Sequence, residues 1–314
     1  MVTTLFAGNF LRMEGFQART PEAGDGRLGV PDRHPGLSDL GYLRRRNQIA
    51  ALAVGHRVGA LCPPVDYTPA EQRTWRSVYK VLRTAQTAHA CRVALDAREG
   101  APIPADSIPQ HAEVSARLRR LTGFDFTLAG GVVENRRFLA SMAEGFFHAV
   151  QFVRHPAVPF FTPEPDVIHD VLGHGIHLSA PAFADLYRLV GRAAARIDNP
   201  DVLQMISDVY WFTLEHGVLT EGGRPKAYGA ALLSSWGEIS RLDQASIQPL
   251  TIPAMLATPY HITSYQPILF TARSLDEVTE TVATFLEQLD EDSAPRYGRS
   301  PTVGGPAGSE PFPA

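Results

Sequence analysis

Two histidines five positions apart, His169 and His174, and one glutamate about forty positions further on, Glu215, are the residues of this chain whose types and spacing could do chemistry. Neutral imidazoles suit several first-row metals. Two of them with one carboxylate on the same face leave positions open for dioxygen and substrate, the pattern of non-haem Fe(II) oxygenases. The spacing needs an explanation, because five residues of an ideal helix set two side chains about 140° apart. Gly173 supplies one if the helix ends there, so that His169 points from its last turn and His174 from the residues that leave it. The same spacing excludes the zinc-protease arrangement, which places its histidines at i and i+4 with a glutamate between them. Here Asp170 is the only acid between the two, and a zinc hydrolase would have to use it as base. Glu215 stands in an apolar run from Tyr210 to Leu219, where an unpaired carboxylate costs several kcal/mol. Its partner is a metal or, in the plainer alternative, a salt bridge beside a hydrogen-bonded pair of helix-terminal histidines.

The elements that must position these groups read as mostly helical. Asp39 to about Val54 carries apolar residues at helical spacing. Thr68-Pro69-Ala70-Glu71 is an N-cap with proline at the first helical position and glutamate at the third, and the helix behind it should bury Trp75, Val78 and Leu82. Ile108-Pro109-Gln110 opens another helix that runs to Gly123. Phe124 to Val133, rich in β formers and glycine, is a short strand or an extended loop. Residues 137–152 read as one long buried helix, followed by an amphipathic helix over 181–196, an apolar one over 203–219 and a last one over 274–290. The expected fold is therefore mainly α with a few short β-strands, as a single domain over residues 34–290. Residues 1–33 form a flexible N-terminal arm and 291–314 a disordered tail rich in proline and glycine.

Composition points to a small-molecule partner. Over 314 residues the formal net charge is −4 and no dense Lys/Arg block occurs, which gives no case for nucleic acid or an anionic membrane. No apolar run of about 18 residues is present, so no membrane partner is expected. Two cysteines, Cys62 and Cys91, are too few for a secreted disulfide framework, and a reducing cytoplasm is the expected location. The Pro/Gly-rich end shows no assembly helix, so monomer or dimer is the expected state.

Set beside their surroundings, these residues resemble the pterin-dependent aromatic amino acid hydroxylases, phenylalanine 4-hydroxylase of the bacterial single-domain type above all. The matching words are Val153-Arg154-His155, Thr162-Pro163-Glu164-Pro165-Asp166, His169 to His174, Tyr210 to Glu215 and Lys226 to Ser235, with weaker ones from His34-Pro35-Gly36 to Tyr265-Gln266-Pro267. The resemblance implies a monooxygenase in which His169, His174 and Glu215 bind Fe(II). Tetrahydrobiopterin or a related tetrahydropterin supplies electrons for the cleavage of O2, the co-substrate, and the ring of an aromatic L-amino acid, phenylalanine first, is hydroxylated. It assigns Arg154 to the substrate carboxylate, a task suited to a planar guanidinium, with Thr162 and Ser234 as helpers and Pro165 and Trp211 as walls for the ring. On the pterin side it implies Phe138 stacked on the ring, backbone groups of Val133 and Asn135 along its edge, His148 and Tyr210 beside it, and Asp170 reaching it through water.

Several residues depart from the family pattern. His216 stands where members carry Phe, and Ala231 where they carry Gly, both at substrate-pocket positions. Pocket changes of this size are worth roughly 1–3 kcal/mol, enough to change preference. They leave open another ring position, such as meta-hydroxylation of phenylalanine, or another ring, tyrosine or tryptophan. Ile262, where tyrosine enzymes tend to carry an acid, favours an apolar ring. Gly175-Ile176-His177 replaces a Val-Pro-Leu-like word, and His177 reads as a histidine satisfied by core hydrogen bonds. Glu134 and Arg137 are unusual in the pterin segment, and an inactive metal- or pterin-binding relative is the remaining alternative.

Overall fold

The computed structural model describes residues 35–298 except 132, 163 and 261–264. The expected N-terminal arm, Ile262 and the end of the tail lie outside the described residues.

Local chemistry accounts for the helix starts. Asp39 caps α1 (Leu40–Ala50) by accepting from the Tyr42 N–H at 2.9 Å. Thr68 and Glu71 form the reciprocal capping box of α2 (Pro69–His89), with Pro69 in its first turn, a device worth about 1 kcal/mol. Trp75, Val78, Leu82 and Ala85 form its buried stripe, and the Trp75 indole donates to the Pro104 carbonyl at 3.0 Å. After α3 (Arg92–Gly100), Gln110 and Glu113 box the start of α4 (His111–Leu121).

The segment expected as one long helix over 137–152 is divided. It holds a short α5 (Asn135–Ser141), a single 3-10 turn over Met142–Glu144 and strand β2 (Phe146–Ala149). Gly145, at φ +81°, makes the break, and a Cβ there would lie 2.9 Å from the Gly123 carbonyl. Beyond it the bulky run Phe146-Phe147-His148-Ala149 pairs in parallel with β1 (Asp125–Leu128), setting Thr127 opposite His148. Apolar content alone does not separate a buried helix from a buried strand.

The chain continues through α6 (Val167–His169), α7 (Gly175–Leu178), α8 (Pro181–Ala195) and α9 (Pro200–Tyr210). There follow β3 (Val218–Glu221), β4 (Arg224–Ala227), α10 (Ala230–Ser234), α11 (Trp236–Ile239), β5 (Ser246–Pro249), α12 (Ile252–Ala257), β6 (Ile268–Ala272) and α13 (Leu275–Gln288). The four later strands form one sheet in the order β4-β3-β6-β5, antiparallel only between β3 and β4. One continuous core joins the helices to both sheets. The first residues of the expected tail belong to this body. Glu291 accepts from the Asp198 and Asn199 N–H groups at 2.7 and 2.8 Å, and Tyr297 meets Phe285 edge-on at 5.5 Å. Pro295 sits at the start of a 3-10 turn, where its missing N–H costs nothing, so proline content overstated the tail. No helix among the described residues is long and apolar enough to cross a membrane.

His111 anchors α4 to the segment after β2. Its Nε2 donates to the Val150 carbonyl at 3.0 Å and its ring meets Phe126 edge-on at 5.0 Å. Burial pushes its pKa down to about 4 from 6.5, partly countered by that carbonyl. The unfolded chain thus takes up this proton first, and stability present above about pH 6.5 is lost as pH falls toward 4. A shift of that size is worth roughly 3 kcal/mol. Between pH 7 and 4.5, urea denaturation should show a smaller loss of stability for His111→Gln than for the natural chain; equal losses would mean that His111 is not held neutral.

Candidate active site

Both segments that carry the ligand candidates are widened helical turns. Residues Asp170–His174 form a π-turn between α6 and α7, with the Gly175 N–H bonded to the Asp170 carbonyl. Residues Trp211–Glu215 form another after α9, with the His216 N–H on the Trp211 carbonyl at 3.0 Å. An i→i+5 turn brings residue i+5 back over residue i, which is the spacing of His169 and His174. The helix does not end at Gly173, as the spacing argument expected. Gly173 serves a different need: a Cβ there would lie 2.5 Å from the Ala230 carbonyl, so only glycine lets α10 pack against the turn.

The three side chains converge. His169 Nε2 lies 2.9 Å from His174 Nε2, His174 Nε2 is 3.1 Å from Glu215 Oε1, and His169 Nε2 is 3.7 Å from Glu215 Oε2. Neighbouring ligands of a metal held at about 2.1 Å sit roughly 3 Å from each other. The Ser234 hydroxyl donates to the Ala230 carbonyl at 2.8 Å and so accepts from His169 Nδ1 at 2.9 Å. That leaves the lone pair of His169 Nε2 facing the carboxylate and the other imidazole, an arrangement a cation would satisfy. Burial pushes His169 down to about 3, helped by His174. Burial alone would raise the Glu215 carboxyl, but His174 and His169 outweigh it and hold it below the carboxylate range. Asp170 also lies within 4.8 Å of the two histidines. Of the two carboxylates Glu215 is the one left available to a cation, because Asp170 Oδ2 accepts from the Val150 N–H at 2.7 Å and burial raises its pKa well above the usual value.

Two cavities open on either side of this cluster, sharing Pro165, His169, Trp211 and Glu215 as walls. The first is lined by every residue expected to bind substrate: Arg154, Thr162, Pro165, Trp211, His216, Ala231 and Ser234. The second is lined by every residue expected on the pterin side: Val133, Asn135, Phe138, His148, Asp170 and Tyr210. Phe138 stands edge-on to Tyr210 at 5.8 Å, and burial, with Arg137 and His56, pushes His148 down to about 3. The unusual Glu134 has a local task, capping α5 by accepting from the Arg136 and Arg137 N–H groups.

Arg154 differs from its expected state. Its Nε and Nη2 already form a two-point pair with Asp166, at 2.9 and 2.7 Å, both side chains being buried. Only the remaining edge, with Nη1 at 3.3 Å from the Pro159 carbonyl, is left for an incoming carboxylate. Asp166 also accepts from the Arg154 and His169 N–H groups, at 2.9 and 3.0 Å.

Among the lining and supporting residues to which the sequence assigns no task, four make specific contacts. Tyr260 stacks on Trp211 at 4.6 Å. Glu164 lines the first cavity and pairs with Arg46. Glu238 is buried in the same cavity and raised by burial to about 7. Tyr187 lies 2.7 Å from His174 Nδ1. The one usable signal was Glu238, an acid inside the apolar word Leu232 to Ile239; Tyr187 reads only as part of the inward stripe of α8.

The sequence profile of the biopterin-dependent aromatic amino acid hydroxylases matches residues 26–301. The chain belongs to this family. It is 43% identical over 260 residues to a phenylalanine 3-hydroxylase of Streptomyces coeruleorubidus, covering 83% of this chain and 93% of that one. It is 35% identical over 271 residues to mouse phenylalanine-4-hydroxylase, covering 84% of this chain but only 59% of the mouse enzyme. The fold is that of the Chromobacterium violaceum phenylalanine hydroxylase solved with bound Fe(III), with a TM-score of 0.67 and 26% identity over 74% of this chain and 83% of that one. Family membership sets aside the zinc hydrolase with Asp170 as base.

Removing the carboxylate tests the convergence. Glu215→Ala should weaken Co(II) or Fe(II) binding at least about 100-fold, more than loss of an outer hydrogen-bond partner costs, while the chain still unfolds cooperatively in urea. Unchanged affinity would place the third ligand elsewhere.

Proposed function

We propose that the chain hydroxylates the ring of free phenylalanine, at the meta carbon, with Fe(II) on His169, His174 and Glu215 and a tetrahydropterin against Phe138. The observation that carries this reading is the pair of cavities meeting at three converging ligand atoms, one lined by the expected substrate residues and the other by the expected pterin residues. When bound, the metal and the pterin together reduce dioxygen, so that one oxygen atom reaches the ring. The rest is the work of the chain. The free edge of Arg154 holds the substrate carboxylate by charge-assisted hydrogen bonds. Pro165 and Trp211 confine the ring, and Tyr260 and the Gln266 amide, 3.4 Å from the Trp211 indole nitrogen, hold Trp211 in place.

The meta position is supported by two departures at the ring end of the pocket and by likeness to the Streptomyces enzyme. His216 packs against Trp211 at 4.5 Å and lies 3.9 Å from Glu238. Burial pushes it down to about 4, so a neutral imidazole replaces a phenyl there, and its Nδ1 has no hydrogen-bond partner among the described residues. Ala231 adds a methyl to the same wall. The buried, free thiols of Cys62 and Cys91 agree with a reducing cytoplasm, and the reading takes the catalytic domain from about residue 34 through the 3-10 turn that ends at Tyr297, as a monomer or dimer.

Chromatography of the product against meta- and para-tyrosine, after Fe(II) reconstitution with a tetrahydropterin, tests the proposal. Meta-tyrosine is expected. Para-tyrosine alone would overturn the position, and no coupled product from any aromatic amino acid would overturn the activity. Arg154→Lys keeps a charge opposite Asp166 but loses the planar fork. It should raise the KM for phenylalanine about tenfold, the loss expected for one charged hydrogen bond, while the pterin KM changes less than about twofold. An unchanged phenylalanine KM would remove Arg154 from carboxylate binding.

A further inference from the structure

His177, one of the departures from the family, sits behind the metal ligands in a chain of hydrogen bonds whose direction can be worked out. It is fully buried, stacked on Phe183 at 4.3 Å and 15°, and its Nε2 lies 2.5 Å from the Tyr228 carbonyl. A carbonyl only accepts, so Nε2 carries the proton. The ring is fully buried, where an unpaired charge would cost several kcal/mol, so it is neutral and Nδ1 bears a lone pair. The Tyr187 hydroxyl stands between that Nδ1, at 3.0 Å, and His174 Nδ1, at 2.7 Å. It has one hydrogen, and His177 Nδ1 can only accept it. The Tyr187 oxygen then accepts from His174 Nδ1–H, and His174 Nε2 is left with its lone pair among His169 Nε2 and Glu215 Oε1.

We propose that His177 is a positioning residue for the metal centre. Through the Tyr187 hydroxyl it holds His174 in the one tautomer that can ligate. The inference rests on the proposed ligand set. Without an acceptor at position 177 the Tyr187 hydroxyl is free to turn and donate to His174 Nδ1. That forces the proton onto His174 Nε2, the atom that faces the metal. His169 has its own support in Ser234, so the two ligands are oriented by separate devices.

Co(II) titration of the full chain, followed by its visible absorption, tests this with a readout other than turnover. Tyr187→Phe removes one hydroxyl and should weaken Co(II) binding by about 10- to 100-fold, the usual cost of an outer partner. His177→Leu should weaken it by a similar factor. If the relay runs through Tyr187, the double variant should bind no more weakly than Tyr187→Phe alone. His177→Asn, whose Oδ1 offers an acceptor in place of Nδ1, should bind more tightly than His177→Leu. Urea denaturation of each metal-free variant separates lost packing from lost ligation. Natural affinity in Tyr187→Phe, or multiplying effects in the double variant, would overturn the relay. If Glu215→Ala binds Co(II) as well as the natural chain does, the ligand set fails instead.

Discussion

The site depends on a mismatch between helical geometry and ligand geometry. An α-helix cannot aim residues i and i+5 at one point, and an α-helix that continued through Glu215 would carry its carboxylate past the histidines. Two widened turns, at Asp170–His174 and Trp211–Glu215, correct both errors. Each gives up regular hydrogen bonding, and the surroundings hold each in place. Asp166 caps the start of α6, and Gly173 lets α10 close on the first turn with Ser234 facing His169. Metal geometry, pocket walls and backbone register are one constraint here.

Legibility in the sequence followed how local each feature is. Caps and amphipathic helices depend on residues a few positions apart, so Asp39, the Thr68 box and the stripe of α2 could be read directly. Glu215 was found because a carboxylate in an apolar run demands a partner. What could not be read was set by tertiary contact. The division at Gly145 depends on pairing with β1, about twenty residues upstream. Gly173 is there because the Ala230 carbonyl of α10 comes too close for a Cβ, a contact spacing does not reveal, so terminating the helix there was the natural inference and still the wrong one. The pocket residues were legible only through the family words. Of the four residues passed over, Glu164 falls inside one of those words but was given no task, because its partner Arg46 lies far away in the chain. Tyr187, Glu238 and Tyr260 fall outside the words used and acquire their tasks from neighbours distant in the chain.

Electrostatics around the site are arranged by burial more than by exposed ion pairs. His148, His169, His177 and His216 are all driven toward the neutral form by desolvation. Neutral rings can ligate, stack or accept a hydrogen bond, and each of these sits where one of those tasks is available. The carboxylates divide in the opposite way. Glu215 is held ionised by the imidazoles beside it, whereas burial raises Asp170 and Glu238. In the proposed ligand set, one ionised carboxylate among neutral rings would bring a single negative charge to a divalent ion.

Asp166 draws the two halves of the site into one object. A single buried carboxylate holds the guanidinium on the substrate wall and, through the His169 N–H, the first turn of the ligand helix. For anyone redesigning this enzyme, the proposed roles of Arg154 and His169 would make substrate choice and metal retention dials that turn together. With those roles, a library that varies the Arg154 end of the pocket would also sample changes in iron occupancy. Variants that look inactive toward a new amino acid would then include some that have only lost their metal.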